Sequence, residues 1–272
     1  MTETTCKLWL AGGLLTQEME KLIVCVHKRP DALFRLICFP WAGGGTSQLA
    51  QWGKLFNDSI EVCCIRFPGR ETRLEEPFAK DMTSIVNEVT NVLLKELKEK
   101  PFAFFGHSFG SYVSFAVALH LKEKYGLEPV HLFISEGHAP HSEGFRALRS
   151  LPVSDIKDEE VIAQLQILGG IPSELQPNED ILKQMVLTLR EDFAVLQTFL
   201  FEKAEMDIPF SCDITCFHGS DGEVHDVQAW QELTSGDTSF YELPGGHFYL
   251  LEPSNQTFLT KHITRCIENA GL

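Results

Sequence analysis

Residues Gly106-His107-Ser108-Phe109-Gly110 set a serine between two glycines, at a point where the hydrophobic pattern changes its period. Upstream, Pro101 to Phe105 is a short apolar run suited to a buried strand. Downstream, Ser111 to Leu121 is small and apolar over a length suited to a buried helix. A serine in so tight a strand-to-helix turn is driven into a strained conformation, with its hydroxyl held above the sheet. The glycines two residues either side let strand and helix pass where a Cβ would clash. The new helix also aims its free amides and positive dipole end at the serine. This is the geometry of a nucleophile elbow.

The pentapeptide alone is weak evidence, and its context and the order of its partners strengthen it. In the α/β-hydrolase fold the nucleophile is followed along the chain by an acid and then by a histidine. Here Ser108 precedes the loop Gly219-Ser220-Asp221-Gly222-Glu223, and later Pro244-Gly245-Gly246-His247-Phe248. A serine hydroxyl is a poor nucleophile without a base in reach, and His247 is the candidate base because two glycines free its loop to approach the elbow. Asp221 lies just past an apolar run ending at Phe217 and is the candidate acid, with Glu223 and Asp226 as rivals on the same loop. A tetrahedral intermediate needs backbone donors at its oxyanion. One is expected from the amide of Phe109. The other is expected from the loop Phe39-Pro40-Trp41-Ala42-Gly43-Gly44-Gly45, with Ala42 favoured and Trp41 next. No Gly-Lys-Ser/Thr follows those glycines, so a phosphate loop is excluded.

Residues 1–31 read as a loosely patterned arm, and residues 32–272 as one α/β domain. Strand-like runs at 34–39, 60–67, 101–105, 130–135, 213–217 and 239–243 alternate with helical stretches, including 82–97 and 255–269. Such alternation calls for a mostly parallel sheet with helices on both faces. Between about 138 and 205 the pattern changes to polar-rich helical segments, at 158–168, 178–188 and 190–201, with no strand between them. An insertion of this kind reads as a helical lid over the carboxyl end of the sheet. Its Ile167, Leu168, Met185, Leu187 and Phe193 are candidates to line an acyl channel.

The 38 acidic and 23 basic residues give a formal net charge of −15, which argues against unspecific binding to nucleic acid or an anionic membrane. Eight cysteines show no framework spacing and no C-x-x-C pair, as expected of a reduced, cytosolic compartment. No stretch approaches the roughly 20 apolar residues that span a bilayer. His218, Asp221 and His225, or His138 and His141 near Glu136, are the groupings that could hold a metal. Neither has the spacing of a metal site, so no metal or cofactor is expected.

Four motifs resemble the type II thioesterases: Phe-Pro-Trp-Ala-Gly-Gly-Gly (39–45), Phe-Pro-Gly-Arg-Glu (67–71), Phe-Phe-Gly-His-Ser-Phe-Gly (104–110) and Pro-Gly-Gly-His-Phe-Tyr-Leu-Leu (244–251). Leu168-Gly-Gly-Ile-Pro172 and Leu189-Arg-Glu-Asp-Phe193 resemble that family's lid landmarks, and the likeness runs from about residue 34 to 268. The resemblance implies a cytosolic serine enzyme, with Ser108 as nucleophile and His247 as general base, that docks on fatty acid synthase. It would hydrolyse an acyl thioester on the phosphopantetheine arm of the acyl carrier domain and release a medium-chain fatty acid. The alternatives are an editing thioesterase, a general short-acyl esterase, or a non-catalytic acyl-carrier-binding protein. Two positions depart from the family's pattern. Its triad acid usually stands three residues after the loop glycine, where this chain has Gly222, with Asp221 one residue earlier. Its elbow commonly has methionine where this chain has Phe109.

Overall fold

Six apolar runs become parallel strands, and their alternation sorts the core into two layers. The computed structural model describes residues 17–171, 178–222, 226 and 228–271. The strands are β1 (Ile23–Val24), β2 (Phe34–Phe39), β3 (Ile60–Ile65), β4 (Phe102–His107), β5 (His131–Ser135), β6 (Asp213–Gly219) and β7 (Thr238–Leu243). They form one sheet in the order β1-β3-β2-β4-β5-β6-β7, parallel throughout except for β1, which runs antiparallel to β3. Successive side chains of a strand face opposite sides. Ile37, Phe39 and Phe104 therefore enter one hydrophobic cluster, while Leu36, Cys38 and Phe105 enter the other. This is the α/β-hydrolase architecture expected from the sequence.

Helices α1 (Met82–Glu99) and α2 (Phe109–Tyr125) cover the first face. Helix α1 is amphipathic and buries Ile85, Val89, Leu93 and Leu97, and Asp81 caps its start by accepting the Ser84 amide at 2.7 Å. Helix α2 packs against the sheet, α1 and the inserted helices, and is buried on nearly every side over its first three turns. Among the described residues, three α-helices are inserted between β5 and β6: α3 (Glu143–Arg149), α4 (Asp158–Ile167) and α5 (Glu179–Thr198). The closing helix α6 (Pro253–Ala270) covers the second face through Leu259, Ile263 and Ile267. Among the described residues, no helix is long and apolar enough to cross a membrane.

Two expectations change. The segments expected at 178–188 and 190–201 are one helix, because no breaker separates them and the buried side continues through Val186, Asp192, Val195 and Leu196. The described part of the expected arm joins the fold: Ile23 pairs with Ile65 and Val24 with Cys64, and Leu22 is buried in the core. Two apolar residues after a polar helical turn are too short a signal to stand out as a strand.

Ser108 has φ 54° and ψ −119°, one of three non-glycine residues with positive φ among those described. The turn is possible because the backbone of α2 nearly touches the end of β2. A Cβ on Gly110 would lie 1.9 Å from the Phe39 carbonyl oxygen, and one on Gly106 would lie 2.3 Å from the Gly110 carbonyl oxygen. Both obstacles are backbone atoms, which no rotamer change relieves. Gly110→Ala should therefore cost about 3 kcal/mol or more in unfolding free energy, measured by urea titration. An alanine at Gly126, whose Cβ would meet nothing within 4 Å, should cost much less despite its positive φ.

Candidate active site

The carboxyl ends of β4, β5 and β6 bring together side chains that are far apart in sequence. His107 and Ser135 are register partners on β4 and β5, so Ser108 and Glu136 leave adjacent strands from the same rung. Ser135 is in turn paired with Phe217 on β6. The His247 loop crosses close above the end of β6, where a Cβ on Gly219 would lie 2.3 Å from the Gly246 carbonyl oxygen. Here too the close approach requires glycine.

Ser108 and His247 line one cleft of about 300 Å³, together with Trp41, Ala42, Leu165 and Phe193. Ser108, His247 and Ala42, three of the expected members, thus share one space. Leu168 and Phe193 of the expected channel also face it, whereas Ile167 and Leu187 are turned outward and exposed. The wall is built instead from Val153, Ile156, Val161, Leu165 and Leu189 on the same insertion. A helix presents one stripe, and the sequence alone gave no phase for it.

Beneath the serine lies a buried polar chain. The Nδ1 of His107 is 2.8 Å from Ser135 Oγ, which is 2.6 Å from the Tyr249 hydroxyl. Burial pushes the Tyr249 phenol well above the ordinary tyrosine range, so it stays neutral. Trp41, His107, His247 and Phe248 pack edge to face around this chain, with centroids 4.9 to 5.6 Å apart. The site stands on packed groups that fix the histidine's surroundings.

The acid side departs from expectation. Asp221 is exposed, its carboxylate accepting the Ser220 hydroxyl at 3.1 Å and its amide donating to the Gly245 carbonyl. Asp226 is exposed and accepts the Ala229 amide at the start of a short helical turn. Glu223 lies outside the described residues. The carboxylate that the structure places against His247 is that of Glu136, with Oε2 3.7 Å from Nδ1. The reason is local: β5 ends beside the elbow, while the β6 loop carries Asp221 outward into solvent. An acid directly after a buried strand, with a glycine behind it, was the available signal in the sequence.

The groupings weighed for a metal are dispersed. His218 faces Glu242 at 3.2 Å, His141 faces Glu232 at 3.0 Å, and His225 lies outside the described residues. At the far edge of the sheet, Cys25, Glu61 and Cys63 lie close together, but Glu61 is already held by the Arg29 amide at 2.8 Å and by Arg35.

A pair not foreseen from the sequence holds the site's roof. Arg70 donates two hydrogen bonds, at 2.7 and 2.6 Å, to Asp192 of α5, with the two side chains only 7% and 4% exposed. Asp192 also accepts the Gly43 amide at 2.8 Å, and Arg70 donates to the Gly44 carbonyl at 3.1 Å. The glycine loop after β2, the loop after β3 and the inserted helix α5 are thus joined at one carboxylate.

An α/β-hydrolase elbow and a histidine loop under an apolar helical roof define a class, and comparison with known proteins narrows it. The chain belongs to the thioesterase domain family, whose model matches residues 34–267. It is 54% identical to the medium-chain S-acyl fatty acid synthase thioesterase of Anas platyrhynchos, over 93% of this chain and all of that protein. The Homo sapiens protein of the same name is 41% identical, over 93% of this chain and 94% of that one. Among solved structures, human thioesterase 2 is similar at a TM-score of 0.66 and 35% identity, over 89% of this chain and 99% of that one. A thioesterase of the prodiginine pathway in Streptomyces coelicolor is similar at 0.77 and 28%, over 88% and 92%.

Removing one partner of a buried pair leaves the other charge uncompensated, which costs about 3–5 kcal/mol. Asp192→Ala should lose stability on that scale in chemical denaturation. The double variant Arg70→Met/Asp192→Leu should recover much of the loss.

Proposed function

We propose that this chain is a serine thioesterase that cleaves the thioester of a medium-chain fatty acyl group on the acyl carrier domain of a fatty acid synthase. The carrying observation is the single apolar cleft that Ser108 and His247 share. Its volume lies at the low end of the roughly 300–1,000 Å³ typical of small-molecule sites, which suits one unbranched chain. The names of the relatives from Anas platyrhynchos and Homo sapiens support the same substrate.

In this reading Ser108 Oγ attacks the thioester carbonyl while His247 takes its proton. The imidazolium then protonates the departing sulfur of the phosphopantetheine arm. Water, deprotonated by His247, hydrolyses the acyl-serine, and the proton returns to Ser108 Oγ as the fatty acid leaves. The oxyanion is received by the amide of Phe109, at the start of α2 where amides have no partner within the helix. The second donor comes from Ala42 or its neighbour Trp41. The loop's Gly43, Gly44 and Thr46 amides are engaged with Asp192, Trp41 and Glu71, while Trp41 and Ala42 line the cleft. The chain itself supplies nucleophile, base and donors, so the chemistry calls for no cofactor. The insertion acts as the lid of the domain, and the enzyme works in the cytosol, where fatty acid synthase is its partner.

Ser108→Ala should lower release of fatty acid from an acyl-carrier substrate by at least about a thousandfold, with binding of the acyl carrier retained. Retained turnover would defeat the reading. Loss of labelling by a fluorophosphonate in the same variant identifies Ser108 as the nucleophile.

A further inference from the structure

We infer that the carboxylate supporting His247 belongs to Glu136 at the end of β5, in place of an acid on the loop after β6. The inference rests on the reading of Ser108 and His247 as nucleophile and base, and it assigns Glu136 as a positioning residue that acts through the imidazole.

Glu136 has what such a role requires. Its side chain is fully buried, and Oε2 lies 3.7 Å from His247 Nδ1. That is ion-pair range but longer than a hydrogen bond, as catalytic contacts in free enzymes often are before substrate tightens them. The other oxygen, Oε1, accepts the Gly219 amide at 2.6 Å, and Oε2 is the oxygen that faces the ring. The backbone is held on both sides: the Glu136 amide donates to the Phe217 carbonyl at 2.9 Å, and the Gly137 carbonyl accepts the Trp230 indole at 3.0 Å. Glu136 also has φ 53°. A left-handed conformation costs a non-glycine residue about 1–3 kcal/mol and persists where the surroundings impose it. Ser108, on the adjacent strand end, carries the same kind of strain.

Gly222 shows why the acid is found here. A Cβ on it would lie 3.6 and 3.7 Å from the two Glu136 carboxylate oxygens. A side chain at 222 and the side chain of Glu136 therefore address the same volume. In this chain position 222 contributes nothing to that volume and Glu136 fills it from the neighbouring strand. Asp221, one residue away, is exposed and bonded to Ser220.

During attack, the Ser108 proton passes to His247 Nε2. The resulting imidazolium keeps its Nδ1–H toward Glu136, which stays ionised throughout. Glu136→Gln preserves the acceptor for the Gly219 amide but turns an amide N–H toward Nδ1. The ring must then accept there, which places its proton on Nε2 and blocks proton transfer from Ser108.

The test compares Glu136→Gln with Asp221→Asn on an acyl-carrier thioester. Glu136→Gln should lower kcat by about 10³–10⁴-fold with KM nearly unchanged, and slow fluorophosphonate labelling of Ser108 in parallel. Asp221→Asn should keep kcat within about twofold. With Ser108 phosphonylated, which holds His247 as the imidazolium, the wild-type enzyme should show a far-downfield Nδ1–H proton resonance that Asp221→Asn keeps and Glu136→Gln loses. A purely structural role for Glu136 would not produce that pattern. Adding Gly222→Asp to Glu136→Gln should recover at least about tenfold in kcat; no recovery would refute the claim that the two positions serve the same ring. Native turnover in Glu136→Gln would overturn the inference. So would loss of turnover and of the resonance in Asp221→Asn, which decides the matter even if Glu136→Gln does not fold. Failure of the wild-type enzyme to release fatty acid would instead defeat the reading of Ser108 and His247.

Discussion

The passage of α2 across the end of β2 is the contact on which the site depends. Gly110 sits so close to the Phe39 carbonyl that only hydrogen fits between them. That proximity forces the reversal at Ser108, stores strain there, and directs the first amides of the helix toward the hydroxyl. It also lays the glycine loop, which begins where β2 stops, alongside the serine. Packing the helix of the elbow tightly therefore fixes three things at once: Ser108, one amide beside it, and the loop opposite.

A second constraint is electrostatic. Arg70 and Asp192 bring two opposite charges out of water, and isolated burial of either would be strongly unfavourable. The fork of the guanidinium matches the two carboxylate oxygens, and further hydrogen bonds go to Gly43, Gly44 and the Pro68 carbonyl. The pair is thus directional as well as compensated. An apolar replacement would fill the space without setting the loop's backbone, so geometry rather than net stability gives the pair its value.

Much of this was legible in the sequence because it is written in local patterns. Alternating strands and helices, the glycines around Ser108, and His247 after its two glycines are short-range signals with direct backbone causes. The six parallel strands fell where apolar runs placed them, and the sheet followed from the requirement that parallel strands be joined by crossovers. Glu136 was not legible as part of the site. Its membership depends on the register of β4 against β5 and on the outward course of the loop at Asp221, neither of which is encoded within a few residues. Asp192 was hidden for a similar reason: on a helix of mixed polarity, one acid among several turns inward only because Arg70, 122 residues away, awaits it. The wall that the insertion builds was half legible, since hydrophobic residues were evident but the phase of each helix was not. Rotation about a helix axis is decided by its neighbours.

The shared carboxylate at Asp192 has a consequence for how such a protein can change over time. Helix α5 lines the cleft of Ser108 and His247 through Leu189 and Phe193, and through Asp192 it also tethers the backbone at Gly43. A substitution that rotates or shifts the helix to reshape the cleft pulls on the same tether, next to the loop that borders Ser108. In the proposed reaction, selectivity for chain length and alignment of the reacting carbonyl are therefore not independent traits. Divergence in preferred substrate is easiest through residues such as Val161 and Leu165, which line the cleft from α4 and not from the helix that carries Asp192.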